Sequence, residues 1–123
     1  MKIAVVTDDQ ITISAHFGRA PYYQVFTIEN GQIAGKETRS KAYHGQPGQP
    51  SEQETHTHQH AHGGMIDPIS DCQVMLGRGM GNGAFNALTG AGIQPIITDI
   101  AEIETAVKAY LAGSMTNHLE RLH

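Results

Sequence analysis

Four histidines occupy alternate positions in a polar stretch of the chain, at His56, His58, His60 and His62. Imidazole is the commonest side-chain ligand for zinc, copper, nickel and iron, and it binds them in its neutral form, above a pKa of about 6.5. Alternate side chains of an extended segment are roughly 6.5 Å apart, so two of them share one ion only where the backbone bends. The pattern predicts a loop that binds a divalent transition metal. A solvated tract with weak, nonspecific metal affinity has the same composition.

A second segment with chemical potential runs from Gly77 to Gly83 and contains Arg78, Gly79 and Gly81. Glycine lets the backbone approach a bulky ligand and exposes its N–H groups, while a guanidinium forms paired hydrogen bonds with an anion. Peptide N–H groups at a helix start and a nearby arginine both offset negative charge. The segment therefore predicts a site for an oxyanion or a sulfide-bridged metal cluster. A tight strand-to-helix turn with Arg78 in solvent would account for the same residues.

His16 and Arg19 precede the second predicted strand and are further candidates for this anion site. His16 would supply a ring nitrogen and Arg19 positive charge. His16 also suits a structural role at the entry to the hairpin. Arg19 also suits an ion pair with Asp8 or Asp9.

The glycine-rich segment also matches part of a dinucleotide-binding fingerprint. Gly79-x-Gly81-x-x-Ala84 follows a predicted strand, and Asp99 stands 20 residues after Gly79, at the spacing of the ribose-binding acid. The remaining sheet is too small for two mononucleotide-binding halves, which argues against this function.

Two catalytic hypotheses are weaker. Asp8 or Asp9 could begin a two-metal nuclease site, but the fourth predicted strand ends at Arg78, where another carboxylate would be needed. Neither Ser14 nor Cys72 stands in a pattern that supplies a base and a third, orienting group. We therefore expect a binding protein and not an enzyme.

Length and charge limit the functional classes that suit this chain. The 123 residues suit a single domain spanning 1–123, and 8 Lys and Arg against 12 Asp and Glu give a formal net charge of −4. Without a basic cluster interleaved with aromatic residues, nucleic acid and anionic membranes are poor partners. The lone Cys72, the early acidic residues and the lack of an apolar run near ~18 residues predict a cytoplasmic protein. An oligomer is compatible with this composition.

Local patterns predict the secondary structure. An apolar run at 3–7 is typical of a central strand, and Asn30-Gly31 between the runs 22–29 and 32–38 predicts a two-residue hairpin turn. The polar segment 43–64, which carries the four histidines, predicts a long flexible loop. The remaining predicted elements are a short helix at 65–70, a strand at 72–76, a helix from 83 to near Gly90, a strand at 93–98 and a last helix. Pro95 places the strand at 93–98 at a sheet edge. Asp99 and Glu102 form a capping pattern that opens the last helix, and Gly113 ends it.

This order predicts a five-stranded mixed sheet with helices on both faces, a three-layer α/β/α domain. If the second strand is antiparallel, the other four strands run the same way, and ligands are expected at their shared carboxyl edge. Cys72 precedes a strand, so we expect it at the opposite end, buried as a small apolar residue. The predicted edge collects Asp8, Asp9, His16, Arg19, the histidine loop, Arg78 and Asp99.

Several segments also carry a family resemblance that covers nearly the whole chain. They are Lys2-Ile3-Ala4-Val5, His16-Phe17-Gly18-Arg19-Ala20-Pro21-Tyr22-Tyr23, Arg78-Gly79-Met80-Gly81 with Gly83-Ala84, Gly92-Ile93 leading to Thr98-Asp99, and the closing helix at 104–113. In this order and spacing the chain resembles the dinitrogenase iron-molybdenum cofactor biosynthesis family. The resemblance implies a ribonuclease H-like fold and the binding or carriage of an iron-sulfur or iron-molybdenum-sulfur cofactor or its precursor. It also implies a metallocluster donor or acceptor protein as partner.

The single Cys72 departs from what a thiolate-held cluster needs, because such clusters take four cysteine ligands. We therefore expect a cluster to be held through imidazole, backbone amides and charge, or between subunits. The alternative function is metal buffering or metal delivery, with zinc, nickel or copper held by the histidine loop alone.

Overall fold

The computed structural model of the protein describes residues 1–40 and 66–121. No helix within these two ranges is long and apolar enough to cross a membrane. The elements in chain order are β1 (Lys2–Thr7), β2 (Tyr22–Glu29), β3 (Gln32–Ser40), a 3-10 turn (Asp67–Ile69), β4 (Val74–Gly77), α1 (Asn82–Gly90), β5 (Gln94–Ile97), α2 (Ile103–Leu111) and a second 3-10 turn (Leu119–Arg121).

The five strands form one mixed sheet in the order β3-β2-β1-β4-β5. β2 is antiparallel to both of its neighbours, whereas β1, β4 and β5 are mutually parallel. β1, β3, β4 and β5 consequently run the same way, and their carboxyl ends lie at one edge of the sheet. The predicted five-stranded mixed sheet, with the first strand central, is confirmed.

The hairpin between β2 and β3 turns at Asn30 and Gly31, as predicted. Their φ angles are +54° and +75°. A two-residue type I′ turn requires positive φ at both positions, which Asn and Gly tolerate best. The turn sets the register of the adjoining pairs Glu29–Gln32 and Ile28–Ile33, and an irregularity between Thr27 and Ile28 shifts the remaining pairs by one residue.

Side chains of β1 alternate between two apolar clusters on the two faces of the sheet. Ala4 and Val6 belong to the first cluster, to which α1 contributes Ala84 and Leu88. We call this side of the sheet the first face. The second face carries Ile3 and Val5 of β1, Phe26 and Ile28 of β2, and Ile103, Ala106 and Val107 of α2. Each helix thus buries its apolar stripe against a different face.

Helix α2 begins later than predicted. Asp99 does not open it, because Glu102 is the N-cap residue and makes no side-chain capping bond. The Ile103 N–H donates to the Ile11 carbonyl at 3.0 Å, and Thr12 forms an isolated bridge with Glu102. These bonds to the loop after β1 hold the preceding residues in an extended form. The predicted stop at Gly113 is confirmed by its φ of +75°.

The tail after α2 covers the outer edge of β5. The Asn117 side chain accepts the Ile97 N–H at 2.9 Å and contacts the Pro95 carbonyl at 3.4 Å, and the His118 N–H donates to the Ile97 carbonyl at 2.7 Å. The prediction that Pro95 places this strand at an edge is confirmed. The tail occupies the backbone groups through which another strand would pair.

An ion-pair clamp crosses the first face and joins β3 to the turn before β4. Arg39 donates to the Pro68 carbonyl and to the Asp71 carboxylate, both at 2.7 Å, and Lys2 reaches Asp71 at 3.2 Å. The Arg39 guanidinium holds the pKa of Asp71 well below its usual range. The predicted helix at 65–70 is here a short 3-10 turn.

Candidate functional site

The segments that follow β1 and β4 meet at the carboxyl edge of the sheet. The Arg78 N–H donates to the Ser14 carbonyl at 3.2 Å, and the Phe17 N–H donates to the Gly79 carbonyl at 3.4 Å. Ser14 is buried and is tied in turn to β1, because its N–H donates to the Val6 carbonyl at 2.9 Å. The structure therefore brings the His16 loop against the Arg78 turn.

Arg78 contains an unsatisfied hydrogen-bond donor. Its Nε is buried and has no partner among the residues that the structure describes. A buried donor without a partner costs roughly 1–3 kcal/mol, and most buried polar groups in folded proteins are hydrogen-bonded.

The N-terminus of α1 lies directly after Arg78 and Gly79. Gly81 is its N-cap residue, with φ −84° and ψ 168°, and no side chain caps the first turn. Uncapped N–H groups and the helix dipole give this end partial positive charge. Neither Gly79 nor Gly81 has a positive φ. The backbone conformation at these two positions therefore does not require glycine.

His16 and Arg19 lie in a tight turn over the same edge. The His16 N–H donates to Ser14 Oγ at 3.0 Å, and the His16 carbonyl accepts the N–H groups of Arg19 at 3.0 Å and Ala20 at 3.1 Å. Both His16 and Arg19 have exposed side chains. Within the described ranges Arg19 forms no ion pair with Asp8 or Asp9, so that alternative is wrong.

Asp9 belongs to the loop structure and not to a cation site. Its carboxylate accepts the N–H groups of Thr12 at 2.8 Å and Ile11 at 2.9 Å and the Thr12 hydroxyl at 2.9 Å. These hydrogen bonds, with that from the Thr12 N–H the strongest, lower the pKa of Asp9 to about 2. The described residues also hold no group of three or more metal-ligating side chains. The nuclease hypothesis gains no support.

Asp99 lies at the carboxyl edge, as its sequence position predicts, and beside His118, which no sequence pattern indicates. His118 Nε2 is 3.6 Å from Asp99 Oδ2, and His118 Nδ1 is 2.9 Å from Glu120 Oε2. Nothing local in the sequence pairs residues 99 and 118. Their meeting depends on the tail folding back along β5.

Cys72 is far from the Arg78 turn and is buried. The neighbouring Gln73 N–H donates to the Lys2 carbonyl at the start of β1, which is the end of the sheet opposite the carboxyl edge. Cys72 is 3% exposed, and burial raises the pKa of its thiol to about 12. Its prediction as a buried apolar residue is confirmed. A thiol of this kind is neither deprotonated nor accessible for ligation.

The structure therefore brings together His16, Arg19, Arg78, Gly79 and Gly81, as the topology predicted. Ser14, whose carbonyl accepts the Arg78 N–H and whose hydroxyl accepts the His16 N–H, was not predicted as part of the site. His56, His58, His60 and His62 lie outside the described residues, as does the predicted loop 43–64.

Comparisons with known proteins identify relatives of this fold. A family model described as dinitrogenase iron-molybdenum cofactor matches residues 1–113. No curated protein matches the chain. Among solved structures, that of PH0822 has a TM-score of 0.67 at 20% identity, and the match covers 98% of this chain and 96% of the PH0822 chain. The apo form of the orange protein from Desulfovibrio gigas has a TM-score of 0.67 at 22% identity, and the match covers 96% of this chain and 92% of the orange protein.

Proposed function

The chain belongs to the dinitrogenase iron-molybdenum cofactor family, and on that premise we propose that it binds an anionic metal–sulfur cargo at the carboxyl edge of its sheet. The cargo is an iron-sulfur or iron-molybdenum-sulfur cofactor or a precursor of one. The protein carries this cargo between a donor and an acceptor protein and does not itself catalyse a reaction.

The unsatisfied Nε of Arg78 is the observation that carries this proposal. A sulfide-bridged cluster or a thiomolybdate has negative charge and several acceptor atoms. Arg78 would donate to it, and the uncapped first turn of α1 would add N–H groups and partial positive charge. Both features lie in a stretch of a few residues directly after β4.

The remaining donors at this edge suit the same cargo. His16 and Arg19 are exposed on the turn that Ser14 holds against Arg78. Imidazole nitrogen is a metal ligand, and guanidinium pairs with anionic sulfur or oxygen. Because the only cysteine is buried at the other end of the sheet, charge and N–H groups replace thiolates in holding the cargo.

Anaerobic titration with tetrathiomolybdate, a molybdenum–sulfur dianion, tests the site. We expect Arg78→Glu to weaken binding about tenfold or more, since a charge-assisted hydrogen bond contributes about 1.5–3 kcal/mol. Cys72→Ala should bind like the parent. Lys108→Glu is a matched control for net charge, because Lys108 lies beside Gly31 and Gln32 at the hairpin end of the sheet.

The opposite pattern would place the site elsewhere: loss of binding in Cys72→Ala with normal binding in Arg78→Glu. Metal and acid-labile sulfide analysis of untagged protein purified without oxygen identifies the native cargo. Iron with sulfide, with or without molybdenum, supports the proposal. Zinc, nickel or copper without sulfide would support metal buffering by the histidine loop.

A further inference from the structure

Ile11 is a large apolar residue at the surface, with 65% of its area exposed. Its N–H donates to Asp9 Oδ1 at 2.9 Å, and its carbonyl accepts the Ile103 N–H at 3.0 Å. Both backbone polar groups of the residue are thus fixed by the fold. A single exposed apolar side chain is ordinary, so Ile11 is informative only together with the cleft that opens beside it.

A cleft of about 160 Å³ opens beside Ile11 on the second face. The buried side chains of Phe26 and Ile103 make part of its lining apolar, and Gln24, 4% exposed, adds a polar group. Glu102 and Glu104 add two carboxylates to the lining, which also includes Gln10 and Lys36. The cleft therefore combines apolar walls with negative charge.

A cationic side chain of this chain already uses part of the cleft. Lys36 lines it, and its Nζ is 3.1 Å from Glu104 Oε2. Lysine and arginine place their methylene stems on apolar surface and keep the charged head near acceptors or water. Glu102 has no such counter-ion within the described ranges. Its carboxylate accepts a hydrogen bond from the Thr105 hydroxyl.

We propose that Ile11 and this cleft form the docking surface for a partner protein that presents a lysine or arginine next to an apolar side chain. The partner's cation would pair with Glu102, its stem would lie on Phe26 and Ile103, and its apolar neighbour would cover Ile11. A second copy of this chain fits less well, because the net charge of −4 makes two copies repel. Ile11 follows β1, so the partner would sit at the carboxyl edge. The proposal holds whatever cargo that edge binds.

Chemical-shift mapping of the protein with two blocked dipeptides tests this surface. Leu-Arg amide should cause saturable shifts of the backbone amides of Gln10, Ile11 and Ile103, whereas Leu-Glu amide should not. The double variant Ile11→Ser/Glu102→Gln should weaken the binding of Leu-Arg amide about tenfold, since it removes an apolar contact and a charge. Leu119→Ser, which alters a 48% exposed apolar residue elsewhere, is the matched control and should bind normally.

Both substituted side chains are exposed, so the double variant should keep the dispersed amide spectrum of the parent, and Glu102→Gln alone provides a milder test. Three results would overturn the proposal: absence of saturable shifts at the cleft, equal binding of the two dipeptides, or unchanged binding of Leu-Arg amide by the double variant. Sedimentation provides the last check. Self-association of the parent that Ile11→Ser abolishes would assign this surface to a second copy and not to a basic partner.

Discussion

At the scale of single residues, Asp9 organises the loop that presents Ile11. Its carboxylate accepts two backbone N–H groups and a hydroxyl within the next three residues. All of these bonds favour the ionised form, which is why the pKa of Asp9 falls to about 2. The same bonds fix the position at which the Ile11 carbonyl receives the start of α2.

Replacement of Asp9 by Asn keeps an acceptor oxygen but removes the titrating group. A carboxyl group whose pKa is lower in the folded state than its unfolded value of about 3.9 stabilises the fold above that value. This contribution disappears as the pH falls toward about 2. We expect Asp9→Asn to be less stable than the parent near neutral pH, with the difference shrinking between about pH 4 and pH 2.

Urea unfolding across this pH range measures the difference in free energy of unfolding. Asp8→Asn is the matched control, because Asp8 is an exposed neighbour outside the hydrogen bonds of the turn. A difference between Asp9→Asn and the parent that stays constant from pH 7 to pH 2 would show that ionised Asp9 does not stabilise the loop.

At the scale of elements, the β2–β3 hairpin depends on its two turn residues. Gly31 has a φ of +75°, a conformation that a Cβ atom disfavours, although there is open space around it. We expect Gly31→Ala to lower the free energy of unfolding by about 1 kcal/mol. Gly35→Ala is the control, since an added Cβ there meets Thr27 Cβ at an ordinary 3.9 Å. Equal stability of these two variants in urea unfolding would contradict this account.

Elements with strong local signals were predictable from the sequence, and those set by distant contacts were not. The apolar run of β1 and the Asn30-Gly31 turn carry their conformation in neighbouring residues. The start of α2 does not, because its position depends on the bond from Ile103 to Ile11. The same distinction holds for the site. Strand direction placed Arg78 at the edge, but only the folded backbone shows that Ser14 holds it there.

At the scale of the whole molecule, the two described ranges are joined by packing and by ion pairs. Within the described residues, each apolar cluster combines residues from before and after the gap, such as Val6 with Leu88 and Ile3 with Val107. The Arg39–Asp71 clamp joins β3 to the turn before β4, so the two described ranges are connected across the first face.

Because the segment 43–64 is polar and lacks apolar periodicity, we expect replacement of its four histidines, His56, His58, His60 and His62, by Gln to weaken nickel and zinc binding strongly while leaving the melting temperature nearly unchanged. Protons compete with metal for the same imidazole nitrogen, so the parent should lose metal as the pH falls through about 6.5. Calorimetric titration of the parent and the quadruple variant measures both effects. Tight binding of nickel or zinc by the variant would place the metal elsewhere.

The burial of Cys72 has a practical consequence for spectroscopy. Because the only cysteine is 3% exposed and the pKa of its thiol is raised to about 12, thiol-reactive dyes and spin labels should leave the folded protein unmodified near neutral pH. A cysteine introduced at an exposed position such as Asn82 would then provide the single reactive thiol of the folded protein. The native chain is thus a ready background for a fluorescent reporter at the carboxyl edge, without first removing its own thiol.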